Sequence, residues 1–122
     1  PPVGIKKDST VIISDDILSS GQTIFTAAQL AGQAGAKRVI AVVTHGLFVG
    51  NCLNDLRACP ELECIITTNS IDHRREVREE AAKPDGKIII IDIAEYLADV
   101  IHCILSGDPM HRFFDAKNGI VR

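Results

Sequence analysis

The sequence predicts an α/β fold, a three-layer sandwich built on a mostly parallel sheet. Short Val- and Ile-rich runs recur at Thr10 to Ile13, Val39 to Val43, Cys64 to Thr67 and Lys87 to Ile91. Their apolar character is continuous rather than alternating, the pattern of strands buried on both faces. Helical or turn-rich sequence separates each run from the next, as in successive βαβ units. With 122 residues, the chain fits one domain spanning its whole length, large enough to bury a core without disulfides or metals.

Each element follows from local chemistry. After the first run, Ile24, Ala27, Ala28 and Ala31 recur at helical spacing between Gly21 and Ala34, and Gly35 stands where a left-handed residue ends a helix. The second crossover, Gly50 to Arg57, is short. The segment Asp72 to Lys83 is densely charged and reads as a solvated loop or exposed helix in preference to a binding patch, ending at the turn Pro84-Asp85-Gly86. Asp92, with Glu95 three residues on, resembles a capping box. Beyond it Leu97, Val100, Ile101 and Ile104 form an apolar stripe that stops before Gly107.

Composition removes several classes of function. Lys and Arg number 13 against 16 Asp and Glu, for a formal charge of -3, which argues against nucleic acid as a partner. The most apolar stretch, Ile88 to Leu105, carries Asp92, Glu95, Asp99 and His102, too much charge for a membrane span. Cys52, Cys59, Cys64 and Cys103 follow no close-pair metal spacing and no signal peptide precedes them, so they read as reduced core thiols of a cytoplasmic protein. The chain opens Pro1-Pro2-Val3-Gly4 without a methionine, which suggests part of something longer.

The residues that carry chemistry are Val11-Ile12-Ile13-Ser14-Asp15-Asp16-Ile17-Leu18-Ser19-Ser20-Gly21-Gln22-Thr23. A strand runs into two carboxylates, then a hydroxyl-rich loop, then a helix, and ligands of open parallel sheets sit beyond the carboxyl ends of the strands. The backbone N–H groups of Ser19, Ser20, Gly21, Gln22 and Thr23 would open the helix unpaired and, with its dipole, form a site for a phosphate dianion. Ser20 and Thr23 add hydroxyl donors, and Gly21 admits close approach to the anion. Asp15 and Asp16 can accept from vicinal hydroxyls or hold a hydrated Mg²⁺. Together these halves describe a sugar phosphate; the competing reading is a helix-capping loop with two solvent-facing aspartates.

This strand, diacid and Ser-Gly-x-Thr loop resembles the phosphoribosyl pyrophosphate signature of the type I phosphoribosyltransferase fold. Gly35-Ala36-Lys37, Thr44-His45-Gly46-Leu47-Phe48-Val49-Gly50 and Thr67-Thr68-Asn69-Ser70-Ile71 are similar to the ribose-phosphate pyrophosphokinases in particular, from about Val3 to Phe114 and over what corresponds to their C-terminal half. The resemblance implies a phosphoribosyltransferase-like domain of a longer two-domain chain. It implies transfer of the β,γ-diphosphoryl group of ATP to the 1-hydroxyl of ribose 5-phosphate with Mg²⁺. Asp15 and Asp16 would serve the ribose hydroxyls and the metal, Ser19 to Thr23 the 5-phosphate, and a missing N-terminal half most of the ATP site; homo-oligomers are expected as well. No residue is assigned a catalytic role. Ser19 stands where the family usually has Asp, Gln22 where a small residue is common, and Ser14 where an apolar or other small residue usually precedes the acids. The tail Pro109 to Phe114 lacks the serines often present there.

A non-catalytic sensor or scaffold that keeps the phosphate loop, and a nucleobase phosphoribosyltransferase, are the alternative functions. His45 reads as a loop histidine with one backbone hydrogen bond; Thr68, Asn69 and Ser70 read equally as substrate contacts or as a turn cap. His73, His102 and His111 carry no assignment.

Overall fold

In the computed structural model, which describes residues 4–113, the apolar runs become four strands: β1 (Thr10–Leu18), β2 (Arg38–Gly46), β3 (Leu62–Thr68) and β4 (Ile88–Ile91). Helices α1 (Gln22–Gln33), α2 (Cys52–Arg57) and α3 (Arg75–Ala81) connect them, and α4 (Ala94–Ser106) follows with a 3-10 turn at Met110–Phe113. Every strand pairing is parallel, and the spatial order β1-β2-β3-β4 repeats the chain order. The parallel α/β class is therefore as the sequence indicates. Pro1 to Val3 and the tail from Phe114 lie outside the described residues, as do the side chains of His111 and Arg112. The chain divides into two compact units, one ending at Ile91 and the other beginning at Asp92.

In the first unit the strand order never reverses, and crossovers of the usual right hand then put every connecting helix on the same side of the sheet. The core has that form. Val39, Ala41, Leu62 and Ile65 of the sheet share one buried cluster with Ile24 and Ala28 of α1, Leu56 of α2 and Val77 of α3. The alternate residues Ile12, Val42, Ile89 and Ile91 face the other way and stay exposed, Ile12 at 67%. The expectation of strands buried on both faces thus holds for one face within this unit. The runs are continuously apolar because the second face is apolar too, although the helices of this unit leave it open.

β1 is longer than its apolar run. It continues through the diacid because Ser14, Asp15 and Ile17 pair with Val42, Val43 and His45 of β2, so the ladder overrides the poor strand preference of Asp. The charged segment after β3 is likewise more than a solvated stretch. It forms α3, with Val77 and Glu80 buried.

Glu80 accepts from Lys83 Nζ at 2.8 Å and from Arg57 Nη2 at 2.6 Å and Nε at 3.0 Å, joining α2 to α3. The hydrogen bond from Lys83 holds its carboxyl below the ordinary value of 4.5; burial opposes that shift and Arg57 reinforces it. A carboxylate depressed in the folded state stabilises fully above its unfolded pKa and loses that contribution as pH falls through the lower folded value. Below about pH 4.5, wild-type stability should therefore fall more steeply with acidification than that of Glu80→Gln, which starts lower at neutral pH. Urea denaturation across pH 2.5 to 7 checks this, and parallel curves would count against it.

In the second unit the N-cap of α4 is Ile93, where the sequence suggests Asp92; the Asp92 carboxylate, one residue earlier, accepts the Ala94 N–H at 2.9 Å. The helix ends at a left-handed Gly107, with the Asp108 N–H closing onto the Cys103 carbonyl at 3.1 Å. Tyr96 and Phe113 meet edge to face with centroids 5.5 Å apart. The expected apolar stripe is present, and Leu97, Ile101 and Ile104 on it are exposed. Among the described residues, no helix is long and apolar enough to cross a membrane.

Candidate functional site

The site lies where β1 gives way to α1. Ser19 and Ser20 turn the chain, and Gly21 caps the helix with φ of 81° and no side-chain cap bond. The first backbone donor to close a helical turn is Phe25, onto the Gly21 carbonyl at 2.9 Å. The N–H groups that open α1 are thus those of Gln22, Thr23 and Ile24, a little further along than the sequence suggests. No acidic side chain occupies the first turn, so the positive end of the helix dipole is left for a ligand.

A cavity of about 130 Å³ opens in front of these amides, lined by Asp15, Ile17 and Leu18 of β1 and by Ser19, Ser20, Gly21, Gln22, Thr23 and Ile24. The structure brings Asp15 together with every predicted phosphate-loop residue. Asp16 is not on the cavity wall, because successive strand residues leave on opposite faces. Each carboxylate is steadied by the following backbone N–H, Asp15 Oδ1 by that of Asp16 and Asp16 Oδ1 by that of Ile17, both at 2.9 Å.

Gly21 is needed for reasons beyond ligand approach. Its positive φ strains any L side chain, and a Cβ there would stand 2.5 Å from Phe25 Cε2 and 3.1 Å from Cys52 Sγ.

The ends of β2 and β3 are tied together beside this loop. The hydroxyls of Thr68 and Ser70 both donate to the Thr44 carbonyl, at 2.9 and 3.1 Å. Ser70 Oγ lies 2.8 Å from His45 Nδ1; with its proton on Thr44, it accepts from Nδ1–H and leaves Nε2 as the acceptor of the ring. Thr68 and Ser70 therefore hold the turn. His45 bonds a hydroxyl where a backbone partner was expected.

A larger cavity of about 380 Å³ lies between α2 and α3, against Arg57, Arg74, Glu80 and Lys83. Its buried carboxylate is already bonded by two of those cations, so the smaller cavity, with its open amides, is the better candidate. Burial raises the Cys52 thiol to about 11 and pushes Cys59 and Cys64 up as well, which keeps them protonated near neutral pH. Among the described residues, no group of three or more His, Cys, Asp or Glu side chains is placed to hold a metal ion.

The signal missed in the sequence is the pair His73-Arg74, hidden in a charge run. Arg74 Nη2 donates to the Phe48 carbonyl, and the buried His73 meets the Phe48 ring edge on at 6.0 Å.

Comparison with known proteins agrees with this fold. The family model of the phosphoribosyl synthetase-associated domain matches residues 1–115. Ribose-phosphate pyrophosphokinase 1 of Schizosaccharomyces pombe is 32% identical over 113 residues, covering 92% of this chain and 27% of that protein. The ribose-phosphate pyrophosphokinase of Haemophilus ducreyi is 32% identical over 114 residues, covering 93% and 34%. The crystal structure of phosphoribosylpyrophosphate synthetase from Mycobacterium smegmatis superposes with a TM-score of 0.72 at 30% identity, covering 86% of this chain and 33% of that one. The chain spans about a quarter to a third of the relatives it matches. By its match over nearly the whole length, this chain belongs to the phosphoribosyl synthetase-associated domain family, with the ribose-phosphate pyrophosphokinases among its relatives.

Proposed function

We propose that the chain supplies the ribose 5-phosphate site of a ribose-phosphate diphosphokinase, which converts ATP and ribose 5-phosphate to phosphoribosyl pyrophosphate and AMP. The observation that carries this reading is the placement of Asp15 and the opening amides of α1 around one cavity. The amides Gln22 to Ile24, with the hydroxyls of Ser20 and Thr23, receive the 5-phosphate. Asp15 accepts from the ribose hydroxyls, and Asp16 lies off the cavity wall. Catalysis is by positioning, since diphosphoryl transfer leaves a protein little covalent work.

The donor set suits Mg²⁺ that arrives with polyphosphate. Among the described residues no group of three or more His, Cys, Asp or Glu forms here, which matches an ion that keeps its waters and binds mainly phosphate oxygens. When bound, Mg²⁺ would offset phosphate charge, and Asp15, on the cavity wall, is the residue that would meet it. ATP is engaged by a second half beyond this span, and the buried thiols suit the cytoplasm. The apolar face of the sheet that the helices of its own unit leave uncovered supports association into oligomers; light scattering is expected to give a mass above that of one chain, and a monodisperse monomer would contradict this.

AMP release from ATP and ribose 5-phosphate by the full gene product tests the reading. Release is expected, and none from a folded product that contains both halves would overturn it. Ser19, where the resembled family usually has Asp, favours a second reading, a sensor that binds the sugar phosphate without chemistry. Calorimetric binding without AMP release would mark that case.

A further inference from the structure

We propose that Arg74 is a positioning residue for the phosphate loop, acting through a single peptide unit of the β2–α2 loop. This rests on the sugar-phosphate reading of the cavity. Phe48 is fully buried in a left-handed backbone conformation, with φ of 50°, which a bulky residue keeps only when its surroundings impose it. Three contacts do so. Its ring packs so closely on Gly46 that a Cβ there would collide with Phe48 Cε2. His73 meets the ring edge on, with Nε2 donating to the Thr68 carbonyl at 2.9 Å. Arg74 Nη2 takes the Phe48 carbonyl.

The other end of the same peptide unit reaches the site. The Val49 N–H donates to the Ser19 carbonyl at 3.0 Å, and the Leu47 N–H donates to the Leu18 carbonyl at 2.8 Å. The Phe48–Val49 peptide is planar and turns as one body. A guanidinium on its carbonyl therefore fixes the direction in which its N–H grips Ser19. Ser19 lines the cavity, so the chain of contacts runs from the turn after β3 to the loop that would hold phosphate. Arg74 itself is exposed apart from its contacting head, so its replacement leaves the core intact.

The test compares wild type, Arg74→Met, Arg74→Lys and, as a surface control, Arg75→Met, by amide hydrogen exchange without ligand and by calorimetry with ribose 5-phosphate. Arg74→Met is expected to speed exchange at Val49 about tenfold while Ala41, in β2, is unchanged, and to weaken ribose 5-phosphate binding about three- to tenfold. Arg74→Lys, which still offers a donor to the carbonyl, should recover most of both; Arg75→Met should resemble wild type. Unchanged exchange at Val49 would overturn the proposal, as would acceleration spread equally to Ala41, which would signal general loosening. If wild type shows no ribose 5-phosphate binding, the functional reading of the cavity fails, while the exchange data alone still decide whether Arg74 holds the loop.

Discussion

Replacing Asp15 with Asn is expected to weaken ribose 5-phosphate binding by about 10- to 100-fold, since hydrogen bonds to a charged group contribute roughly 1.5–3 kcal/mol. The same change at Asp16 should alter affinity for the sugar phosphate by less than about threefold. The two residues are adjacent and chemically identical, so composition and local sequence predict equal effects; only the alternation of side chains along β1 separates them. Both carboxylates are exposed, so thermal stability should move little, within about 0.5 kcal/mol for either variant. Inorganic phosphate supplies an internal contrast. It needs the helix amides and not the carboxylate, so Asp15→Asn should hold it as well as wild type or slightly better, because a nearby negative charge has gone. Calorimetric titration of both ligands into both variants checks the pattern, and equal losses at Asp15 and Asp16 would refute the division of labour.

Gly21→Val should cause the largest loss of stability at the site, about 2–5 kcal/mol. A left-handed backbone at a residue with a Cβ costs roughly 1–2 kcal/mol, and forcing extra atoms against a packed ring adds about 1–3 kcal/mol. The obstacle here is Phe25 Cε2, 2.5 Å from the new Cβ, on a side chain that is itself buried. Gly50→Ala provides the control. Gly50 has φ of 61°, and beyond its two chain neighbours no atom lies within 4 Å of the place a Cβ would take, so only the backbone contribution applies, about 1–2 kcal/mol. Urea midpoints should order wild type above Gly50→Ala and Gly50→Ala above Gly21→Val. A Gly21→Val protein as stable as Gly50→Ala would show that Phe25 moves aside freely, and that the cap is not fixed by packing.

Much of this arrangement is legible in the sequence because it rests on local chemistry. Four Val- and Ile-rich runs give the strands, Gly35 and Gly107 stop their helices, and the serine and glycine between β1 and α1 mark a turn into a helix start. The residues Asp15, Ser19, Ser20, Gly21, Gln22 and Thr23 are close in sequence, so their meeting in one cavity needs no knowledge of tertiary structure. What escapes the sequence depends on partners far along the chain. The separation of Asp15 from Asp16 appears only once β1 is seen to extend through the diacid, which its pairing with β2 decides. That the helices of the first unit leave the second face of the sheet uncovered follows from strand order, a global property, and apolar runs look alike whether one face is covered or two. Glu80 and Arg74 sit in a run of charges that reads as solvated. Their roles arise from Arg57, 23 residues earlier, and Phe48, 26 residues earlier. His45 finds a hydroxyl on Ser70, 25 residues later, where sequence alone offers only the expectation of a nearby carbonyl.

The central claim, that the β1–α1 loop binds a sugar phosphate through its backbone amides, is tested most directly by following amide resonances of the ¹⁵N-labelled chain during titration with ribose 5-phosphate. The largest shifts are expected at Gln22, Thr23 and Ile24, with smaller ones at Ser19 and Ser20; inorganic phosphate should move the same amides, and unphosphorylated ribose should not. Shifts confined to other segments, or none at ligand concentrations up to tens of millimolar, would contradict the account.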